Sequence, residues 1–149
     1  MAEQLLDVKD LHVNFKVYEG LLKVLNGVSL SVGAKEKVGI IGESGCGKTT
    51  TMKAIMRILA SNAIIAGGTI TYRGNDVLRL GMRDMMTLRR TSMSMIFQDP
   101  TAALNPVFKI GEQLEDIVRY SEFTSNTPTK QEVRTKTVEL LKNAALPEP

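Results

Sequence analysis

Apolar and polar residues alternate through the opening of the chain. From Leu6 to Val17 the apolar positions Val8, Leu11, Val13, Phe15 and Val17 are set among polar ones, and Val24 to Val32 repeats the pattern. That spacing predicts two strands, each with one face on a core. With Tyr18-Glu19-Gly20 in the connection, the two read as an antiparallel pair. Gly33-Ala34-Lys35-Glu36-Lys37 is a turn leading into the apolar run Val38 to Ile41, which reads as a buried strand. Lys48 to Leu59 then switches to helical spacing, with Met52, Ile55, Met56 and Leu59 on one side. Ala66-Gly67-Gly68 reads as a break. Thr69 to Tyr72 followed by Arg73-Gly74-Asn75-Asp76 reads as a short strand and tight turn, and Ser92 to Phe97 as another strand. After Asn105-Pro106 the period is helical, over Ile110 to Tyr120 and Pro128 to Leu146, the second opened by Thr127 with Pro128 at the first helical position. A β-rich half thus precedes a helical one, with the change near residue 100.

Chemistry enters between the run Val38 to Ile41 and the helix. Gly42-Glu43-Ser44-Gly45-Cys46-Gly47-Lys48-Thr49 has the spacing G-x-x-x-x-G-K-[ST] of a phosphate-binding loop, so nucleotide binding is the first functional expectation. A strand feeding a glycine loop that opens a helix aims several backbone N–H groups and the helix N-terminus at one point. Gly42, Gly45 and Gly47 allow the chain to wrap closely around phosphate oxygens, with the amides from Gly45 to Thr50 as donors. Lys48 would bring a full charge to the β- and γ-phosphates, and Thr49 would offer its hydroxyl to Mg²⁺, which takes few protein ligands beside phosphate and water. Cys46, at a variable position of the motif, reads as a small filler rather than a nucleophile.

Composition narrows the setting. At 149 residues, 43% hydrophobic and 23% charged, the chain has the balance of a soluble globular domain. The single cysteine excludes an internal disulfide framework and fits a reducing compartment. The start, Met1 to Asp7, lacks the basic and apolar regions of a signal peptide, and no stretch approaches about 18 uninterrupted apolar residues. A dispersed net charge of +3 argues against nucleic acid, and the cluster Arg83, Arg89 and Arg90 reads as a solvated face or protein-contact edge.

Three stretches carry a family resemblance: Val24-Leu25-Asn26-Gly27-Val28-Ser29-Leu30, Val38 to Thr49, and Met95-Ile96-Phe97-Gln98-Asp99-Pro100-Thr101-Ala102-Ala103-Leu104-Asn105-Pro106. In these the chain resembles the ATP-binding subunits of ABC transporters, and among them the oligopeptide/dipeptide importer group. The resemblance implies an α/β fold, the P-loop ABC ATPase nucleotide-binding domain. Here it would be incomplete: an antiparallel β-subdomain and part of a parallel core sheet, then part of a helical subdomain. Residues 1–100 would hold the N-terminal part of the ATP-binding core, and 101–149 the Q-loop and the start of the helical subdomain.

The same resemblance implies ligands and roles. ATP and Mg²⁺ are the implied cofactors, held by Gly42, Glu43, Ser44, Gly45, Cys46, Gly47, Lys48, Thr49 and Thr50. Phe15 falls where the family stacks an aromatic ring on adenine, with Tyr18 as the competing position. Gln98 matches the Q-loop glutamine, so Lys48 and Gln98 are the implied catalytic residues, and Thr49 and Gln98 the implied metal contacts. A neutral amide suits that sensing role because it gains and loses a metal without stranding a charge. The implied partners are a second ATP-binding subunit in a homo- or heterodimer, transmembrane permease subunits reached through the Q-loop and helical subdomain, and indirectly an extracytoplasmic solute-binding protein. The implied location is the cytoplasmic face of the cell membrane. Uptake of nickel or another solute, and a soluble ABC ATPase outside transport, are the alternatives.

The 149 residues contain no Ser-Gly-Gly, no apolar strand ending in Asp-Glu, and only one histidine, His12, ahead of the phosphate loop. A signature loop, a catalytic acidic pair and a switch histidine are therefore missing from the family's set. Loss of a positioned general base costs about 10²–10⁴-fold in rate. The expectation is an N-terminal fragment of a longer ATPase that hydrolyses ATP negligibly by itself, with exposed apolar sheet edges that favour self-association.

Overall fold

A computed structural model of the chain describes residues 4–99, 103–123 and 127–146. The chain divides into two compact units, Met1–Thr87 and Leu88–Pro149.

The first unit is built on an antiparallel hairpin. Strand β1 (Gln4–Val17) pairs with β2 (Gly20–Gly33) through a two-residue turn at Tyr18 and Glu19, Val17 facing Gly20. β1 also pairs antiparallel with β3 (Ala63–Tyr72), which turns through Arg73 and Gly74 into the short β4 (Asn75–Asp76). Both turn residues have positive φ, 47° and 77°, the geometry that matches the right-handed twist of a hairpin. The sheet order is β2-β1-β3-β4.

One irregularity in β1 explains its pattern. Val8, Leu11 and Val13 are all buried, yet Val8 and Leu11 are three residues apart, which strict alternation forbids. The strand resolves this with a bulge: Asp10 adopts φ 48°, its N–H donates to Ser29 Oγ at 2.9 Å, and the register shifts against both neighbours. Opposite it, Gly68 has φ 91°, and a Cβ there would lie 2.6 Å from Leu11 Cα. Ala66-Gly67-Gly68 therefore sits inside β3 instead of breaking the chain, and β3 begins earlier than Thr69 because it pairs with β1 along its length.

Helix α1 (Lys48–Ile55) follows the glycine loop and buries Thr51, Ala54 and Ile55. It is shorter than Lys48 to Leu59 because Arg57 turns left-handed at φ 51°, with its guanidinium on the carbonyl oxygens of Val77 and Leu80 at 3.2 and 2.6 Å. Val38 to Ile41 is neither strand nor buried: it carries no regular structure, and Ile41 is 99% exposed. Ser92 to Phe97 is likewise irregular, with Ile96 93% exposed. A strand needs a hydrogen-bonded neighbour, and among the described residues neither segment has one.

Helix α2 (Met82–Thr91), which the apolar pattern does not reveal, begins in the first unit and ends in the second. The second unit continues with α3 (Ile110–Glu122) and α4 (Lys130–Asn143), whose buried residues are Val118, Val133 and Thr137. The Arg90 guanidinium lies over the Tyr120 ring at 5.8 Å, joining the end of α2 to α3. The N-cap of α4 is Thr129 rather than Thr127. Thr129 Oγ1 accepts from Glu132 N–H at 3.3 Å while its own N–H donates to Glu132 Oε2 at 2.7 Å, a reciprocal capping box.

Candidate functional site

The loop from Gly42 to Thr49 lies in the first unit, against the hairpin. Gly47 is the N-cap of α1 at φ 96° and ψ 0°, and no side chain caps the helix. A Cβ on Gly47 would stand 2.6 Å from Leu25 Cδ2, and one on Gly42 would stand 2.6 Å from Cys46 Sγ. Glycine at these positions lets the loop close on itself and seat against β2. Gly45, at φ 82°, has nothing within 4 Å of where a Cβ would be, so its open side faces solvent.

The donors left over are concentrated. Thr51 N–H and Oγ1 both bond the Gly47 carbonyl, at 2.9 and 3.0 Å, and Cys46 N–H bonds the Glu43 carbonyl at 3.3 Å. Among the described residues, the N–H groups of Gly45, Gly47, Lys48, Thr49 and Thr50 have no acceptor. Three of these are the orphan donors of a helix's first turn, where the dipole favours an anion. Lys48 folds back over the loop, its Nζ donating to the Gly42 and Glu43 carbonyls at 2.7 Å each and lying 3.5 Å from Cys46 Sγ. A lysine cation and free amides on one loop at a helix N-terminus are the donor set of an oxyanion receptor, and their chemistry suits phosphate. The exposed Thr49 hydroxyl has no partner among the described residues. It is a hard oxygen beside that receptor, which fits a magnesium ion shared with phosphate oxygens. Glu43 and Ser44 are exposed in the turn ahead of Gly45, and contribute backbone more than side chain to this geometry.

The other expected residues lie elsewhere. Phe15 is half-buried on β1, flanked by Leu22 and Ala63 on the neighbouring strands, whereas Tyr18 is fully exposed at the hairpin turn. Gln98 belongs to the second unit, exposed in the irregular stretch after α2, and its amide has no partner among the described residues. Pro100 to Ala102, within the expected Q-loop, fall outside the described residues. Arg83, Arg89 and Arg90 all lie on α2, and Arg90 is tied to Tyr120 instead of being simply solvated. Among the described residues no three His, Cys, Asp or Glu side chains cluster as a metal site, and no helix is long and apolar enough to cross a membrane.

Comparison with known proteins points one way. The family described as ABC transporter matches residues 25–147. The oligopeptide transport ATP-binding protein of Salmonella typhimurium is 40% identical over 147 residues, covering 99% of this chain and 42% of that protein. The dipeptide transport ATP-binding protein of Bacillus subtilis is 36% identical over 149 residues, covering 99% and 43%. The chain therefore spans about two fifths of the length of the curated relatives it matches. In fold it resembles the ATP-binding cassette MJ0796, solved as a dimer in a post-hydrolysis state with ADP and phosphate, at a TM-score of 0.77 and 24% identity over 97% of this chain and 59% of that one.

Proposed function

This chain belongs to the ABC transporter family, and from that premise we propose that it supplies the phosphate-binding loop and helix of an ATPase subunit that drives uptake of oligopeptides or dipeptides. The observation that carries the reading is the loop itself. Among the described residues, five amides without an acceptor, the Lys48 ammonium and an unpartnered Thr49 hydroxyl all fall between Gly45 and Thr50. Lys48, Gly42 to Gly47 and Thr50 hold the phosphates, Thr49 holds Mg²⁺, and Phe15 stacks on the base. Each charge-assisted bond from Lys48 to phosphate is worth about 1.5–3 kcal/mol, and it replaces bonds the ammonium now makes to neutral carbonyls. Bound Mg²⁺ supplies charge neutralisation between the phosphates.

Gln98 completes the reading as the residue whose amide meets the metal or attacking water and passes that contact to the loop that follows it. The importer assignment rests on the likeness to peptide-transport ATPases along nearly the whole chain. In this reading two ATP-binding subunits pair on the cytoplasmic face of the membrane and act on permease subunits served by an extracytoplasmic binding protein. With no Ser-Gly-Gly and no Asp-Glu strand end in its 149 residues, the chain alone binds ATP and turns it over negligibly. The test is a titration of the full chain with Mg²⁺-ATP. Lys48→Ala should weaken binding by tenfold or more, the equivalent of about 1.4 kcal/mol, and equal affinity in both proteins would refute the assignment.

A further inference from the structure

Helix α1 is short for the role its first turn plays. Its eight residues span about 12 Å, and the residues it buries are Thr51, Ala54 and Ile55. A stripe that narrow holds the helix down but leaves it prone to tilt and to turn about its axis. The N–H groups of Lys48, Thr49 and Thr50 point along that axis, so their aim is the aim of the helix. Its start is seated by Gly47 against Leu25 of β2. Its far end is held by Arg57.

Arg57 stands just past the last turn, in a backbone conformation that arginine does not favour. Its N–H bonds the Ala54 carbonyl at 3.0 Å, and the Ile58 N–H bonds the Lys53 carbonyl at 2.9 Å, the paired closure that places one left-handed residue after a helix. That residue is Arg57, at φ 51°. Glycine takes this conformation without strain, whereas a Cβ crowds the following carbonyl oxygen. What the arginine adds is reach. Its Nη1 donates to the Val77 and Leu80 carbonyls at 3.2 and 2.6 Å, bonds that the permanent charge of the guanidinium strengthens.

The acceptor is a turn held in shape from other directions. Val77 is fully buried, and its N–H bonds the Ile70 carbonyl at 2.8 Å, which ties the turn to β3. Asp76 Oδ1 accepts from Leu78 N–H at 2.9 Å, the Asp76 carbonyl accepts from Arg79 N–H at 3.2 Å, and Asp76 Oδ2 lies 3.2 Å from Arg79 Nε. The Val77 and Leu80 carbonyls thus meet at one nitrogen. Helix α1 is fastened at both ends to the same sheet, through Leu25 on β2 at its start and through the turn after β4 at its finish.

We propose that Arg57 is the positioning residue of the phosphate-binding helix: its guanidinium fixes the far end of α1 to the Val77–Leu80 turn, so that the amides of Lys48, Thr49 and Thr50 are aimed before nucleotide arrives. This rests on the nucleotide-binding reading of the loop given above. Donors fixed in advance meet phosphate without the ordering cost that a tilting helix would add. Arg57 works through the helix, from the end opposite to the phosphate.

Arg57→Gly separates the bonds from the backbone, because it removes the guanidinium and suits the left-handed turn. If Arg57 did no more than end the helix, glycine would serve at least as well. Under the proposal, the affinity of the full chain for Mg²⁺-ATP falls about fivefold or more in Arg57→Gly and recovers in part in Arg57→Lys, which restores a cationic donor. Before nucleotide is added, the amide resonances of Lys48, Thr49 and Thr50 should move in Arg57→Gly while those of Val8 and Val28 on the hairpin stay in place. Three results would overturn the proposal: wild-type affinity in Arg57→Gly, a loss of affinity accompanied by displaced resonances throughout the hairpin, or an Arg57→Lys that binds no better than Arg57→Gly. A wild type that does not bind Mg²⁺-ATP removes the positioning role together with the reading it rests on. That failure is distinct from the other three, which are all scored against a wild type that binds.

Discussion

Gly68 and Gly45 share a left-handed backbone and differ in what surrounds them. A Cβ on Gly68, at φ 91°, would meet Leu11 Cα and the Lys9 carbonyl oxygen at 2.6 Å and the Asp10 carbonyl oxygen closer still, all of them backbone atoms of the neighbouring strand. A Cβ on Gly45, at φ 82°, would meet nothing within 4 Å. Left-handed strain alone costs an alanine about 1–2 kcal/mol. Gly45→Ala should therefore destabilise the chain by about that much, whereas Gly68→Ala, which also forces β1 and β3 apart, should exceed it. Urea unfolding of the two variants side by side checks this, and equal costs would contradict the bulge geometry. The phosphate loop was legible in the sequence because its chemistry is local: glycines, a lysine and a hydroxyl at fixed spacing on one chain segment. Gly68 was not, since its constraint comes from a bulge at Asp10 more than fifty residues away. Arg57 escaped notice for a similar reason, an ordinary polar residue at a helix end until its bonds to Val77 and Leu80 are seen.

Helix α4 owes its start to the Thr129–Glu132 box. Hydrogen bonds from the Thr129 hydroxyl, then from its backbone N–H, hold the Glu132 carboxyl below the usual glutamate range. A carboxyl whose folded value is depressed favours folding in its charged form, so its contribution is present above the ordinary glutamate value of about 4.3 and is lost as the pH falls through the lower folded value. Thr129→Ala should lower the helical signal at neutral pH and flatten its acid dependence between about pH 6 and about pH 3. Circular dichroism across that window reads both, and an unchanged acid limb would count against the box. The signature Thr129-Lys130-Gln131-Glu132 was present in the sequence, and Thr127 before Pro128 drew the start two residues early. The long hairpin was readable because β1 buries Val8, Leu11 and Val13, and β2 keeps the alternation with buried Leu25 and half-buried Val28, Leu30 and Val32. Helix α2 was not, because its apolar side, Met82, Met85 and Met86, lasts barely one turn, and Met85 is the one residue it buries. Val38 to Ile41 misled in the opposite sense: apolar runs announce strands, and a strand forms only when a neighbour takes its backbone bonds.

At the scale of the whole molecule, Ile41, Ile96 and Val107 stand 99%, 93% and 83% exposed, a heavy load of apolar surface for a chain of 149 residues. Association that grows with concentration is the expected consequence, and sedimentation velocity should show it reduced by Ile41→Asp; an unchanged profile would assign the association to another surface. The chain matches peptide-transport ATPases along nearly all of its own length and about two fifths of theirs, so nucleotide binding is a property one loop of this chain can carry, and transport is proposed for the longer protein. The most direct test follows backbone amide resonances of the full chain during titration with Mg²⁺-ATP. Saturable shifts led by Gly45, Gly47, Lys48, Thr49 and Thr50, lost in Lys48→Ala, are the predicted result; absence of saturable binding, or shifts that leave this loop untouched, would contradict it.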